Sequence, residues 1–214
     1  MHDRSRASAK RLRAQLLTHR PSPESFRSAL NDVATDDWDP WLDLVLDLDV
    51  LDDQPDLPRG CVPYLPCPVA TVMDALDQAN VTSTDVFVDV GAGMGRTLML
   101  ANLTTGAGCI GIEVQASLTK VAAGRADWLN LTRARFIHGD AVELVQFLMT
   151  GTVFFLYCPF GGERLGHVLS GLEGIARTRS IRICCVAMAP LELPWLRRVR
   201  STSREFELYR SVAR

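Results

Sequence analysis

Five short apolar runs rich in β-branched residues, separated by segments of helical periodicity, predict an α/β fold. The sheet is expected to be doubly wound and mostly parallel, closed by a final antiparallel strand and preceded by an N-terminal helical extension. Two further observations support this class. A glycine-rich turn joins the first run to a helix. The chain has 214 residues, 47% hydrophobic and 22% charged, enough to bury one substantial core with an appendage.

Taken in order, Ser22, Pro23 and Glu24 read as an N-cap, a proline in the first turn and an acid favoured by the helix dipole, opening a helix through about Val33. Asp39-Pro40 repeats the signal. Beyond it Trp41, Leu44, Val45, Leu48 and Leu51 fall at helical spacing, while Asp43, Asp47 and Asp49 lie mainly on other faces, which predicts an amphipathic helix. The alternation LDLVLDLDVLD is also compatible with a strand; the cap and the length favour helix. Residues 53–68 carry five prolines and no periodicity, and place a boundary between an extension over 1–58, a candidate lid, and a main domain over 59–214.

In the main domain a helix over 69–78 precedes VFVDV (86–90). Then come a helix after the glycines, CIGIE (109–113), a helix over 117–129, ARFIH (134–138) and a short helix. TVFFLYC (152–158), a helix near 163–177 and IRICCVAM (181–188) follow. REFELYRSV (204–212) has no helix before it, so it is expected to enter as the antiparallel strand.

Charge is segmented behind a formal total of -2. Residues 1–20 hold six Lys or Arg and one Asp, residues 31–58 ten Asp and no base, and residues 177–214 nine Arg and three Glu. The basic start reads as a frayed, solvated helix and not a nucleic-acid arm, because no aromatic residue interleaves it for base stacking; no nucleic acid partner is expected. With neither an 18-residue apolar run nor the apolar stretch of a signal peptide, the expectation is a cytoplasmic protein with no membrane association. Six cysteines form no C-x-x-C pair and read as reduced core thiols.

The first strand runs into VFVDVGAGMGR. Glycines at 91, 93 and 95 let the backbone turn sharply and approach a ligand, next to the free N–H groups of a helix start. The dinucleotide fingerprint needs a third glycine where Arg96 stands, but the acid two residues before the first glycine is present as Asp89. Glu113 ends the second strand and Asp140, in HGDA, follows the third.

This arrangement resembles the class I, seven-strand, S-adenosylmethionine (SAM) dependent methyltransferases over roughly residues 60–190 and the last strand. The resemblance implies a seven-stranded sheet, SAM as methyl donor and S-adenosylhomocysteine (SAH) as product. It implies that Gly91, Ala92, Gly93 and Gly95 admit the ligand to the backbone and that Asp89 serves its methionine end. Glu113 would hold the ribose, and Asp140 and Ala141 would flank the adenine. Tyr157-Cys158-Pro159-Phe160 stands where members acting on nitrogen carry N-P-P-Y or D-P-P-F motifs. The Pro-Phe half matches and the polar first residue does not, so their nitrogen-binding mechanism does not carry over. Tyr157, Pro159 and Phe160 remain expected at the cofactor, Phe160 either beside the sulfonium or pinning the next helix. Tyr64 and Pro66 are similar to the Y-x-P lid of some seven-strand lysine methyltransferases.

Tyr157 and His167 are the catalytic candidates, with His138 a further possible base; both histidines have ordinary structural readings, at a strand end and on a helix. No acid follows the fourth strand, so no metal is expected. The acceptor is an oxygen or nitrogen of a small molecule, or alternatively a protein side chain of lysine type. A nicotinamide oxidoreductase, disfavoured by Arg96, and a non-catalytic partner subunit are the rival readings.

Overall fold

The computed structural model describes residues 1–49, 53 and 57–212. Its centre is a seven-stranded sheet of order β3-β2-β1-β4-β5-β7-β6. β1 (Val86–Val90), β2 (Gly108–Glu113), β3 (Ala134–His138), β4 (Val153–Tyr157) and β5 (Arg182–Val186) are parallel; β7 (Phe206–Ser211) runs antiparallel to β5 and to β6 (Leu196–Val199). The apolar runs pair side by side, Val86 with Gly108 and Phe87 with both Cys109 and Val153, so both faces of the sheet are buried. The chain order reverses between β1 and β4, and in open α/β sheets a crevice forms at the carboxyl ends of the strands there.

β6 was not foreseen from the residues. Its sequence is LRRV, two arginines on an exposed edge, and it has neither the apolar run nor the alternation that marks a strand.

One face of the sheet is covered by α4 (Val69–Gln78), α5 (Arg96–Thr105) and α6 (Ala116–Trp128), the other by α7 (Ala141–Leu144) and α8 (Gly162–Ala176). The N-terminal helices α1 (Asp3–Thr18), α2 (Pro23–Asn31) and α3 (Trp38–Leu46) form a further layer outside α4 and α5, in one continuous core with them. In consequence every residue of α5 is buried.

The expectation that the basic start is a frayed, solvated helix is corrected. α1 buries Ser5, Ala9, Leu12 and Leu16, one stripe at helical spacing, and packs on α3. Asp37 accepts from the His2 N–H at 2.9 Å and the Ser5 hydroxyl at 2.7 Å, fixing the first turn; these bonds hold its carboxyl below the usual range. Basic residues of the extension serve as caps. Arg27 donates to the Thr104 carbonyl at 2.7 Å, at the end of α5 where helix carbonyls lack intrahelical donors, and Arg20 adds a second donor at 2.9 Å to the Asn102 carbonyl, which also accepts the Gly106 N–H.

α2 opens as expected, with the Ser22 hydroxyl accepting from the Ser25 N–H. α3 is shorter than its apolar spacing suggested: it ends at Leu46, with Asp47 in the left-handed region at φ 54°, and Leu48 packs on the core from beyond the helix. Leu51 lies outside the described residues. All six cysteines are free, and burial pushes the Cys67 and Cys184 thiols up to about 12, so these two are inert.

Candidate active site

Above the switch point lies a cavity of about 180 Å³. Its walls are the ends of five strands: Gly91 after β1, Glu113 closing β2, Asp140 and Ala141 after β3, Tyr157 to Phe160 after β4, and Ala187 after β5. Residues 61–65, with Leu57, make the roof. Among the described residues, none of 1–49 lines it.

The floor is set by the glycine turn. The Gly91 and Ala92 N–H groups both donate to the Ile112 carbonyl at 2.9 Å, drawing the turn over the end of β2. Gly91 has φ +87°, and a Cβ there would come 2.8 Å from the Pro159 Cβ, so only glycine lets the β4 loop close on this turn. Gly93 has φ +53°, and the Tyr64 ring fills the space a side chain would need. Gly95 packs beneath Phe136, away from the cavity.

The acids come together as the sequence suggested. Glu113 Oε2 accepts from the Gly93 N–H and Oε1 from the Gln115 N–H, both at 2.8 Å. Burial raises its carboxyl above the usual range despite these bonds. Asp89, 4% exposed, lies beneath, and its carboxyl makes no hydrogen bond to any described residue; burial drives it well above the usual range, and the Glu113 charge adds to the effect. Neither acid has a cationic partner among the described residues. Asp140 caps α7 through the Val142 N–H at 2.9 Å and takes Arg164 Nη2 on both oxygens at 2.5 Å.

The roof is joined to the β4 loop by backbone pairing. Cys61 and Phe160 form an antiparallel bridge, the Val62 N–H donates to the Pro159 carbonyl at 3.2 Å and the Gly161 N–H to the Gly60 carbonyl at 3.4 Å. Asp53 Oδ1 accepts from the Tyr64 N–H at 2.8 Å and from Gln115 Nε2 at 2.6 Å, tying the roof to the start of α6. The Tyr64 hydroxyl is buried without a partner.

Tyr64, Gly91, Glu113, Asp140, Ala141, Tyr157, Pro159 and Phe160 thus line one cavity, with Asp89, Ala92 and Gly93 just below it. Phe160 is also buried in the core with Leu156 and Val168, which is the helix-pinning role. His167 is not brought in. It sits on the outer face of α8 with Val142 and Gln146, in a separate surface depression, because the helix turns that side away from the sheet. His138 is exposed and contacts the Val114 carbonyl at 3.1 Å.

Sequence reasoning missed Arg164, Gln115 and the strained backbone. Cys158 (φ 40°) and Ala187 (φ 52°) occupy the left-handed region without being glycine, and both line the cavity. It also missed the use of Arg96. Its guanidinium, 5% exposed, donates to Asp43 Oδ1, Asp39 Oδ1 and the Cys67 carbonyl, each at 2.6 Å, binding α3 and the start of α4 to the glycine turn. The ten acids of residues 31–58, with no base among them, were the visible signal for a cation from elsewhere in the chain.

The family model described as Histone methylation protein DOT1 matches residues 67–147. Among solved structures, an RNA methyltransferase from Salinibacter ruber in complex with S-adenosyl-L-homocysteine is 27% identical, over 69% of this chain and 92% of that one, with a TM-score of 0.51. The putative methyltransferase yhhF from Escherichia coli is 20% identical over 74% of this chain and 92% of its own (TM-score 0.55), and shares the fold. So does a variant of MtNAS in complex with S-adenosylmethionine, 13% identical over 68% and 62% (TM-score 0.56). No curated protein matches the sequence.

Proposed function

We propose that this chain acts as a class I SAM-dependent methyltransferase, with the roofed cavity holding SAM and delivering its methyl group to a nitrogen of a small molecule with an apolar body; the family match and the SAH-bound structural neighbour support the reading. The observation that carries the reading is the cavity itself, which joins the glycine turn and the β2 and β3 acids to the β4 loop under one cover.

Bound SAM supplies an electrophilic methyl on a sulfonium, so transfer is an in-line displacement at carbon. The residues fit a cation: Asp89 and Glu113 are desolvated acids without a positive partner among the described residues. Two of the roughly four acceptor positions of Glu113 are taken by backbone N–H groups, which leaves two for ribose hydroxyls and keeps the carboxylate oriented. Asp140 and Ala141 stand at the adenine end, and Tyr157 to Phe160 at the methyl end.

Among the described residues no histidine and no lysine lines the cavity. The chain therefore contributes alignment and exclusion of water more than proton removal, which suits a nucleophile that arrives with a free lone pair, such as a neutral amine or ring nitrogen. The apolar rim, with Val62 and Leu65 exposed, suits an acceptor with an apolar body.

A second reading, transfer to a protein lysine, is favoured by the match to the histone methylation model, although that match ends before β4 and so covers the cofactor half alone. Methyl-labelled SAM added with the protein to a cell extract separates the two. Label in the low-molecular-mass filtrate supports the small molecule; label retained on protein supports the lysine reading; no transferred label in either fraction contradicts both.

A further inference from the structure

We infer that Arg164 is a positioning residue for base selection: it holds Asp140 as a fixed, acceptor-only carboxylate at the adenine end and so makes the site prefer a 6-amino purine. The inference rests on the cavity reading above. Arg164 lies in the first turn of α8, two residues after the Gly161-Gly162 pair, and reaches across to the start of α7. Its Nη2 is 2.5 Å from both Asp140 oxygens. Since Oδ1 also accepts the Val142 N–H, about three of four acceptor positions on the carboxylate are committed and one direction remains. An ionised carboxylate can accept from the exocyclic amine of adenine and repels the carbonyl oxygen of hypoxanthine.

The side chain of Arg164 is itself held from above. Its Cδ lies 3.3 Å from where a Cβ on Gly60 would be, so the stem runs close under the roof, and Gly60 itself has φ +88°, a backbone conformation that favours glycine. Gly60 in turn accepts the Gly161 N–H. The guanidinium is thus fixed between α7, through its ion pair with Asp140, and the roof, where it meets Cys61, while its buried Nε finds no hydrogen-bond partner. A surface arginine paired with a helix-capping acid needs none of this confinement.

The test is calorimetric titration of the full chain with SAH and with its 6-oxo (inosyl) counterpart, in wild type, Arg164→Ala and Arg164→Lys, with thermal melting of each. The wild type is expected to prefer SAH. In Arg164→Ala the SAH affinity should fall roughly tenfold or more while the inosyl ligand changes little, so the preference collapses; Arg164→Lys, a point charge without the planar fork, should fall between. Equal weakening of both ligands, or an unchanged preference in both variants, would overturn the inference and leave the Ala141 N–H as the group reading the base. A wild type that binds SAH without discriminating overturns it too but spares the cavity reading; a wild type that binds neither ligand removes both.

Discussion

Two sets of carboxylates lie on either side of the glycine turn, one half-exposed and one buried, and they differ in how their charge is answered. Asp39 and Asp43 on α3 are answered by the buried guanidinium of Arg96, which also takes the Cys67 carbonyl. Asp89 and Glu113, at the ends of β1 and β2, have no cation among the described residues, and both carboxyls are raised. The first set closes its charge within the protein and joins layers together. The second leaves charge uncompensated at a cavity, a cost to the fold that a cationic ligand can offset. The same residue type therefore builds structure on one side and a site on the other, and the difference is the presence of an internal counter-ion.

The largest expected effect breaks the structural set. Arg96→Ala removes three charge-assisted hydrogen bonds made by a buried guanidinium and should destabilise the fold by about 3–5 kcal/mol, seen in denaturant unfolding. A loss below about 1 kcal/mol would mean that water replaces the guanidinium and that the α3 cluster is a surface network. Next, Glu113→Ala should weaken SAM binding by about 2–4 kcal/mol, because the proposed acceptor of the ribose hydroxyls is lost together with the anchor of the Gly93 N–H. Wild-type affinity in that variant would remove Glu113 from the site.

The smallest effect sharpens the comparison through pH. Asp89 and Glu113 have folded-state values above those of the unfolded chain, so the folded protein keeps protons that the unfolded chain has released. Their contribution to stability is fully present below the ordinary carboxylate range, near 4, and is lost as pH rises through the raised values. A cationic ligand favours the ionised forms. Its affinity should therefore rise across the same window, by up to about tenfold per pH unit for each proton released, and then level off. SAM titrations at several pH values check this; an affinity independent of pH would show that the acids do not sense the ligand's charge.

Much of the parallel half was legible because its signals are local. β1, β3 and the glycine turn declare themselves by short apolar runs and by residues that only a turn requires, and Asp89, Glu113 and Asp140 fall at strand ends once the strands are placed. What stayed hidden depends on contacts distant in sequence. Arg96 seemed only a departure from a glycine fingerprint until α3 supplied Asp39 and Asp43, more than fifty residues upstream. Arg164 lies 24 residues from Asp140, and no spacing rule joins the start of α8 to the start of α7. β6 was missed because an edge strand of arginines carries no burial pattern, and the burial of α1, read as a solvated helix, because Ser5, Ala9, Leu12 and Leu16 form a thin stripe among many charges.

The central claim, that the uncompensated acids mark a cofactor site, is tested most directly by calorimetric titration of the purified protein with SAM and SAH, with NADH as control. Saturable binding of both sulfur ligands and none of NADH is the predicted result. No binding of SAM or SAH, or binding of NADH in their place, would contradict it.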